Sequence, residues 1–198
     1  MSSTKPILKK KTATEELLQD YRICCESREA SLLGRKEVFM GKAKFGIFGD
    51  GKELPQVAMA KAFRKGDVRS GYYRDQTFML YLGELTLEQY FAQLYAHTDV
   101  AADPASAGRL MNGHFATRSL DEKGHWKNLV ELNYAISDVS PTAGQIPRII
   151  GLGYASKLFR NNPQLHGLEQ FSKKGNEVVF GTIGNAATSE GMFLEAIN

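Results

Sequence analysis

Cysteine is scarce, with 2 residues in a chain of 198, and the two are adjacent at Cys24 and Cys25. Neighbouring cysteines on a helix cannot reach unstrained disulfide geometry. Both therefore read as reduced thiols, which favours a cytosolic protein. Long apolar runs are missing as well. No stretch approaches the roughly 20 apolar residues that span a bilayer, and residues 1–16 lack the apolar segment of a signal peptide. The N-terminus also lacks the Arg-rich amphipathic character of a transit peptide, which fits a bacterial cytoplasm better than an organelle. Charge of one sign is in small excess only: the net charge of +3 argues against a nucleic-acid partner. The one basic run, Lys9-Lys10-Lys11, belongs to an N-terminal tail and reads as a solvated segment. Histidine is sparse too. His97, His114, His125 and His166 are not paired at metal-ligand spacing, which argues against zinc.

What is present is an ordinary globular composition, 42% hydrophobic and 24% charged. The length suits one domain with a sizeable core. We expect a disordered tail over 1–11 and one α/β unit over 12–198. Thr12 or Thr14 caps a helix running to about Leu33, with Leu17, Leu18, Tyr21, Cys24, Cys25 and Leu32 along a helical stripe and Gly34 as its stop. The glycine-rich stretch 41–53 is a loop. Helices are expected over Leu54–Phe63, Arg74–Leu82 and Thr86–His97. Ser70–Tyr73 reads as a short strand or strand end. Residues 98–128 have no sustained periodicity, and a loop of that length is usually functional or disordered. Leu129–Ile136 reads as a strand. Thr142–Phe159 reads as a helix burying Ile146, Ile149, Ile150, Leu152, Gly153, Tyr154 and Leu158, broken by Asn161-Asn-Pro163. Val178–Ile183 is the last strand. Strands alternating with helices imply an α/β fold with a parallel sheet.

Five segments carry candidate chemistry. Gly46-Ile-Phe-Gly-Asp-Gly51-Lys52-Glu53 approaches the phosphate-loop pattern, but Glu53 stands where a hydroxyl should hold magnesium. A glycine-rich helix entry is the better reading. Tyr72-Tyr73-Arg74-Asp75 combines phenols with a guanidinium able to bind phosphate through two parallel hydrogen bonds. Its plainer reading is an aromatic core strand followed by a helix start. His114 lies in a glycine-flanked polar loop and reads as solvated or structural. Ser140-Pro-Thr-Ala-Gly-Gln145 joins a strand to a helix, where ligands bind in open α/β sheets; simple N-capping by Ser140 or Thr142 is the alternative. Val178–Asn198 reads as strand, small-residue turn and helix start, a phosphate site built from backbone N–H groups and the helix dipole.

In this order, the motifs resemble the alpha subunit of the thiamin-diphosphate-dependent decarboxylating component of 2-oxo acid dehydrogenase complexes, most nearly the branched-chain type. The resemblance runs from about Tyr21 to Asn198. It rests on Tyr73-Arg74-Asp75, Gly108-Arg109-Leu-Met111 with His114-Phe115, Ser140-Pro141 with Gln145-Ile-Pro147, Gly151–Lys157, and Thr188-Ser-Glu-Gly191. It implies an incomplete thiamin-diphosphate-binding fold: a parallel sheet flanked by helices, with a helical N-terminal region. Tyr73 and Arg74 would hold the cofactor diphosphate. His114 would lie near the substrate end of the cleft as a catalytic residue. Ser140 and Thr142 would lie near the aminopyrimidine ring, and Gly184, Asn185, Ala186 and Ala187 would wrap the diphosphate and magnesium. Gln145 would match a residue near a monovalent-cation site, although Gly144 replaces the hydroxyl usual there.

The turn departs from the family pattern. The usual acid is replaced by Asn185, the expected metal ligand, which offers a neutral oxygen only; Ala186 adds a methyl. The family's second magnesium ligand, further diphosphate contacts and a catalytic histidine would follow Asn198. The expectation is therefore an N-terminal portion of a longer chain, inactive by itself. The implied partners are a beta subunit or beta domain that supplies an activating glutamate, a lipoyl-bearing acyltransferase, and a 2-oxo acid substrate, in a homo- or hetero-oligomer. The alternative is an assembly or scaffold relative that has lost magnesium–thiamin binding.

Overall fold

Helix α1, Ala13–Phe39, starts where the Thr12 hydroxyl accepts from the Glu15 N–H and the Glu15 carboxylate accepts from the Thr12 N–H. This reciprocal capping satisfies two of the N–H groups every helix start leaves open. The computed structural model describes residues 12–198, and the expected tail at 1–11 lies outside them.

One expectation about α1 is corrected. Gly34 does not stop the helix; α1 continues to Phe39, and Gly34 is where the Phe48 ring takes the space of a side chain. The apolar stripe is not the buried one. Leu17, Leu18 and Tyr21 are exposed, whereas Ser27, Ala30, Ser31, Gly34 and Glu37 are buried. The reason is a polar seam against α3. The Gln76 amide donates to the Ser27 carbonyl at 2.9 Å and to Ser31 Oγ at 2.7 Å, while its oxygen accepts from the Gly49 N–H and the Tyr90 hydroxyl. Ser27 and Thr77 share a hydrogen bond of 2.7 Å. Small hydroxyl residues let the helices approach closely, and the polar groups of this seam pair with one another. Cys24 and Cys25 are free thiols on this helix.

Helix α2 spans Glu53–Ala62, α3 Gln76–Tyr81 and α4 Leu87–Leu94. The near phosphate loop is the entry to α2. Its Glu53 is bound by Arg28 Nε and Nη2 at 2.7 and 2.8 Å and accepts from the Gly51 N–H, so it is occupied in tying α1 to α2. The Arg28 hydrogen bonds hold the Glu53 carboxyl below the ordinary carboxylate range, against the opposing effect of burial. A carboxyl depressed on folding contributes stability above its unfolded value, about 4.3, and loses it as pH falls through the lower folded value. Stability should therefore decline below about pH 4.3. In Glu53→Gln the acid slope should be shallower when unfolding is followed by circular dichroism; an unchanged slope would refute the assignment.

Strands β1 (Val68–Ser70), β2 (Tyr134–Ala135) and β3 (Val179–Gly181) form a parallel sheet in the order β2-β1-β3. Val68 is level with Tyr134 on one side and Val179 on the other. The expected strand over Leu129–Ile136 is shorter than anticipated, because Leu129–Glu131 winds into a 3-10 turn before β2 begins. Ser70–Tyr73 is likewise extended only to Ser70, after which the chain bends into α3. Helix α5, Gln145–Asn161, and α6, Gly191–Ile197, complete the chain. On α5, Ile146 is buried, but Ile150, Tyr154 and Leu158 are exposed, contrary to the expected apolar side. Within the described residues the sheet offers α5 only a narrow face, so one turn-spaced row is covered and the rest is not.

The main core joins Phe63, Phe78, Met79, Phe115 and Ala135, with Phe63 edge-on to Phe78 and Phe180 at centroid distances of 5.3 and 5.1 Å. A second cluster packs Ala143 and Ile146 of the α5 entry against Ala187, Ile183 and α6. This cluster fixes the last turn of the chain against the α5 entry. Among the described residues, no helix is long and apolar enough to cross a membrane.

Candidate functional site

All three strands run in the same direction, so their carboxyl ends deliver three segments to one edge of the sheet. Tyr72-Tyr73-Arg74 follows β1, Val139 to Gln145 follows β2, and Gly184 to Ala187 follows β3. Together they line a cleft of about 240 Å³. This is the edge at which open α/β sheets bind ligands. The volume is below the roughly 300–1,000 Å³ of sites that enclose a drug-sized molecule, so the cleft suits one end of a larger ligand.

Of the expected site residues, the fold brings Tyr73, Arg74, Thr142, Gly184, Asn185, Ala186 and Ala187 into this one lining. Arg74 lies over the Tyr73 ring at 5.6 Å. Among the described residues no carboxylate pairs with its guanidinium. Burial, and then the nearby Asp75, push the Tyr72 phenol up.

Ser140 and His114 stand apart from the lining. His114 is buried, not solvated. Its Nδ1 is 3.0 Å from the Met111 carbonyl and its Nε2 is 2.8 Å from Ser140 Oγ. Its loop is ordered rather than disordered: Gln93 accepts from the Gly113 N–H and donates to the His114 carbonyl, and Asn112 brackets Ile47. Ser140 and Thr142 do not cap α5, because that helix begins at Gln145 behind Gly144, with no side-chain cap. The Ser140 hydroxyl faces His114 instead, and the Thr142 side chain is left to the cleft wall. Gln145 is buried and donates to the Thr182 carbonyl at 2.8 Å.

The last segment also differs from a simple helix-terminus site. A 3-10 turn, Asn185–Ser189, stands between the cleft and α6. It is closed by Ala187 N–H to the Gly184 carbonyl at 3.1 Å and by the Thr188 hydroxyl to the Asn185 carbonyl at 2.7 Å. The N–H groups available to the cleft are therefore those that open this turn, which have no partner within it, and not those of α6. Among the described residues no three His, Cys, Asp or Glu side chains cluster to hold a metal ion.

Beneath the cleft lies a buried ion cluster that sequence reading missed. Arg69 binds Asp75 Oδ2 through Nε at 3.0 Å and Nη2 at 2.7 Å, and Asp138 through Nη1 and Nη2 at 3.1 Å each. Arg69 and Asp75 are each 1% exposed and Asp138 is 5%. The Phe115 ring covers the guanidinium at 5.6 Å. Gly71 has no side chain because Asp75 and Arg69 fill the place a Cβ would take. A strand reading of Val68–Ser70 alone gives no hint that its arginine points inward. The available signal was the Arg-x-Gly spacing followed by Asp75.

A fold and cleft of this kind define a class, and comparison with known proteins agrees: residues 36–198 match the dehydrogenase E1 component family, to which the chain belongs. The particular relatives are 2-oxoisovalerate dehydrogenase alpha subunits. The chain is 30% identical to that of Bacillus subtilis (strain 168) over 159 residues, covering 80% of this chain and 39% of the relative. It is 28% identical to the mitochondrial subunit of Caenorhabditis elegans over 158 residues, 80% of this chain and 30% of the relative. Against the mitochondrial subunit of Mus musculus it is 26% identical over 177 residues, 89% of this chain and 33% of the relative. It thus spans between 30% and 39% of each of these proteins.

Proposed function

We propose that the chain contributes the diphosphate-binding part of a thiamin-diphosphate-dependent 2-oxo acid dehydrogenase that acts on a branched-chain 2-oxo acid. The observation that carries this reading is the convergence of Tyr73, Arg74, Thr142 and Gly184–Ala187 on one cleft at the carboxyl edge of the sheet. Arg74 has the planar fork and the unpaired charge that a diphosphate requires. The Tyr73 phenol and the opening N–H groups of the 185–189 turn would add neutral donors, and Thr142, in the same lining, would stand near the aminopyrimidine. Bound thiamin diphosphate supplies the electron sink for decarboxylation of the 2-oxo acid. The chain's own residues bind and orient the diphosphate end.

Magnesium is served less well. Asn185 is the one expected ligand in the cleft, its oxygen is neutral, and magnesium favours carboxylates. Among the described residues no carboxylate lines the cleft; activation of the cofactor would fall to a glutamate of a beta subunit or beta domain, and the chain alone should not turn over 3-methyl-2-oxobutanoate. Transfer of the acyl group to a lipoyl-bearing acyltransferase completes the proposed role, in an oligomer of the bacterial cytoplasm. His114 would act indirectly, through Ser140, at the substrate end.

Calorimetry with thiamin diphosphate and magnesium tests the reading. Magnesium-dependent binding is expected, and Asn185→Asp should tighten it about tenfold by adding a charged ligand. No binding to a folded chain would support the second reading, an assembly relative without cofactor, which the neutral Asn185 favours.

A further inference from the structure

We propose that Arg69, Asp75, Asp138 and Thr182 are positioning residues, one buried cluster that sets the spacing of the three cleft segments, with the Thr182 hydroxyl placing the Gly184–Ala187 turn. The inference rests on the reading that this cleft holds a diphosphate.

The geometry is specific. Each cleft segment leaves the sheet beside a member of the cluster. Tyr72-Tyr73-Arg74 lies between Arg69 and Asp75 in the chain, and Asp138 immediately precedes Val139. Thr182 is the first residue after β3 and lies two before Gly184. The Thr182 hydroxyl donates to Asp75 Oδ2 at 2.5 Å, and the same oxygen accepts from the Tyr72 N–H at 3.3 Å. Arg69 Nη2 donates to the Tyr72 carbonyl at 3.2 Å. Asp138 Oδ2 accepts from the Phe115 N–H at 3.0 Å, which ties in the loop carrying His114. One guanidinium is thus linked to all three strand ends, and among the described residues the hydrogen-bonded route from it to the turn after β3 runs through Asp75 and Thr182.

Stability alone does not call for this arrangement. Replacing a buried ion pair with packed apolar side chains is often neutral or stabilising. What the cluster adds is direction: a planar guanidinium offers its donors at fixed angles, so each carboxylate has one seat. The cluster also has no reserve on the Thr182 side. Asp75 Oδ1 is buried with no partner, and all four donors to Asp75 converge on Oδ2. Losing the Thr182 hydroxyl therefore removes the turn's hydrogen bond to the cluster, leaving the Gln145 bond to the Thr182 carbonyl and the apolar packing of Ile183 and Ala187 on Ala143 and Ile146 as its ties to the α5 entry.

Thr182→Val keeps the shape and removes the hydroxyl; Thr182→Ser keeps the hydroxyl. Both are made in the full chain and read in two ways. Amide hydrogen exchange at Ala187 and Glu190 should accelerate about tenfold in the Val variant, with α1 amides unchanged, and return toward the parent rate in the Ser variant. Thiamin diphosphate affinity, measured with magnesium, should fall about tenfold in Val and recover in Ser. Unchanged exchange at the turn, or equal acceleration throughout the chain, overturns the inference. Accelerated exchange with undiminished cofactor affinity overturns its link to the cleft. If the parent chain itself binds no thiamin diphosphate, the functional reading fails, while the exchange data still decide whether Thr182 holds the turn.

Discussion

Replacing Arg69 by Met should cost about 3–5 kcal/mol, the range for removing one partner of a buried ion pair. That is a large share of the roughly 5–15 kcal/mol that stabilises a domain. Arg69 is the only cation bound to Asp75 and Asp138 among the described residues, and Met fills much of its volume without donating a hydrogen bond. Both carboxylates would then lie buried without their counter-charge. Burial already pushes the Asp75 carboxyl up in the presence of Arg69, so the uncompensated site would take up protons or open to water. Urea denaturation measures the loss directly. A midpoint close to that of the parent chain would contradict the claim that the cluster is closed to solvent. Adding Asp138→Asn to Arg69→Met should recover part of the loss, since one unpaired carboxylate is then gone; strict additivity of the two changes would show that they do not interact.

Arg74→Ala should act on binding rather than on folding. Hydrogen bonds to charged groups contribute about 1.5–3 kcal/mol, so thiamin diphosphate affinity should fall about 10- to 100-fold. Stability should change by about 1 kcal/mol at most, the value of its stacking on Tyr73. Arg74→Lys should restore charge without the fork and give an intermediate affinity. An affinity unchanged by Arg74→Ala, measured by calorimetry on a chain with parental thermal stability, would remove Arg74 from the site.

The site was legible in fragments. Tyr73-Arg74 and Gly184–Ala187 stood out by residue type, and the parallel α/β alternation put both at the carboxyl ends of strands. Ser140 and Thr142 read as cap or ligand residues, and the cap reading failed because the helix starts later, at Gln145. His114 could not be assigned from its glycine-flanked loop. Its two ring nitrogens are engaged by the Met111 carbonyl and the Ser140 hydroxyl, and Ser140 is distant in sequence. The stripe on α1 misled for a different reason. Periodicity marks which residues share a face, but the face that packs was chosen by Gln76, whose amide is matched by Ser27 and Ser31.

The amino-acid sequence by itself determined the local and repetitive features. Thr12 and Glu15 start α1, Asn161-Asn-Pro163 ends α5, and short apolar runs separated by helices require a parallel sheet. Each of these depends on neighbours along the chain. Tertiary structure alone decided which polar residues are buried and what they serve. Arg69, Asp75, Asp138 and Thr182 meet because three strands run parallel and end at one level, which no local pattern records. A charged residue is buried only when its counter-charge arrives from elsewhere in the fold, and here that arrival also shapes the cleft.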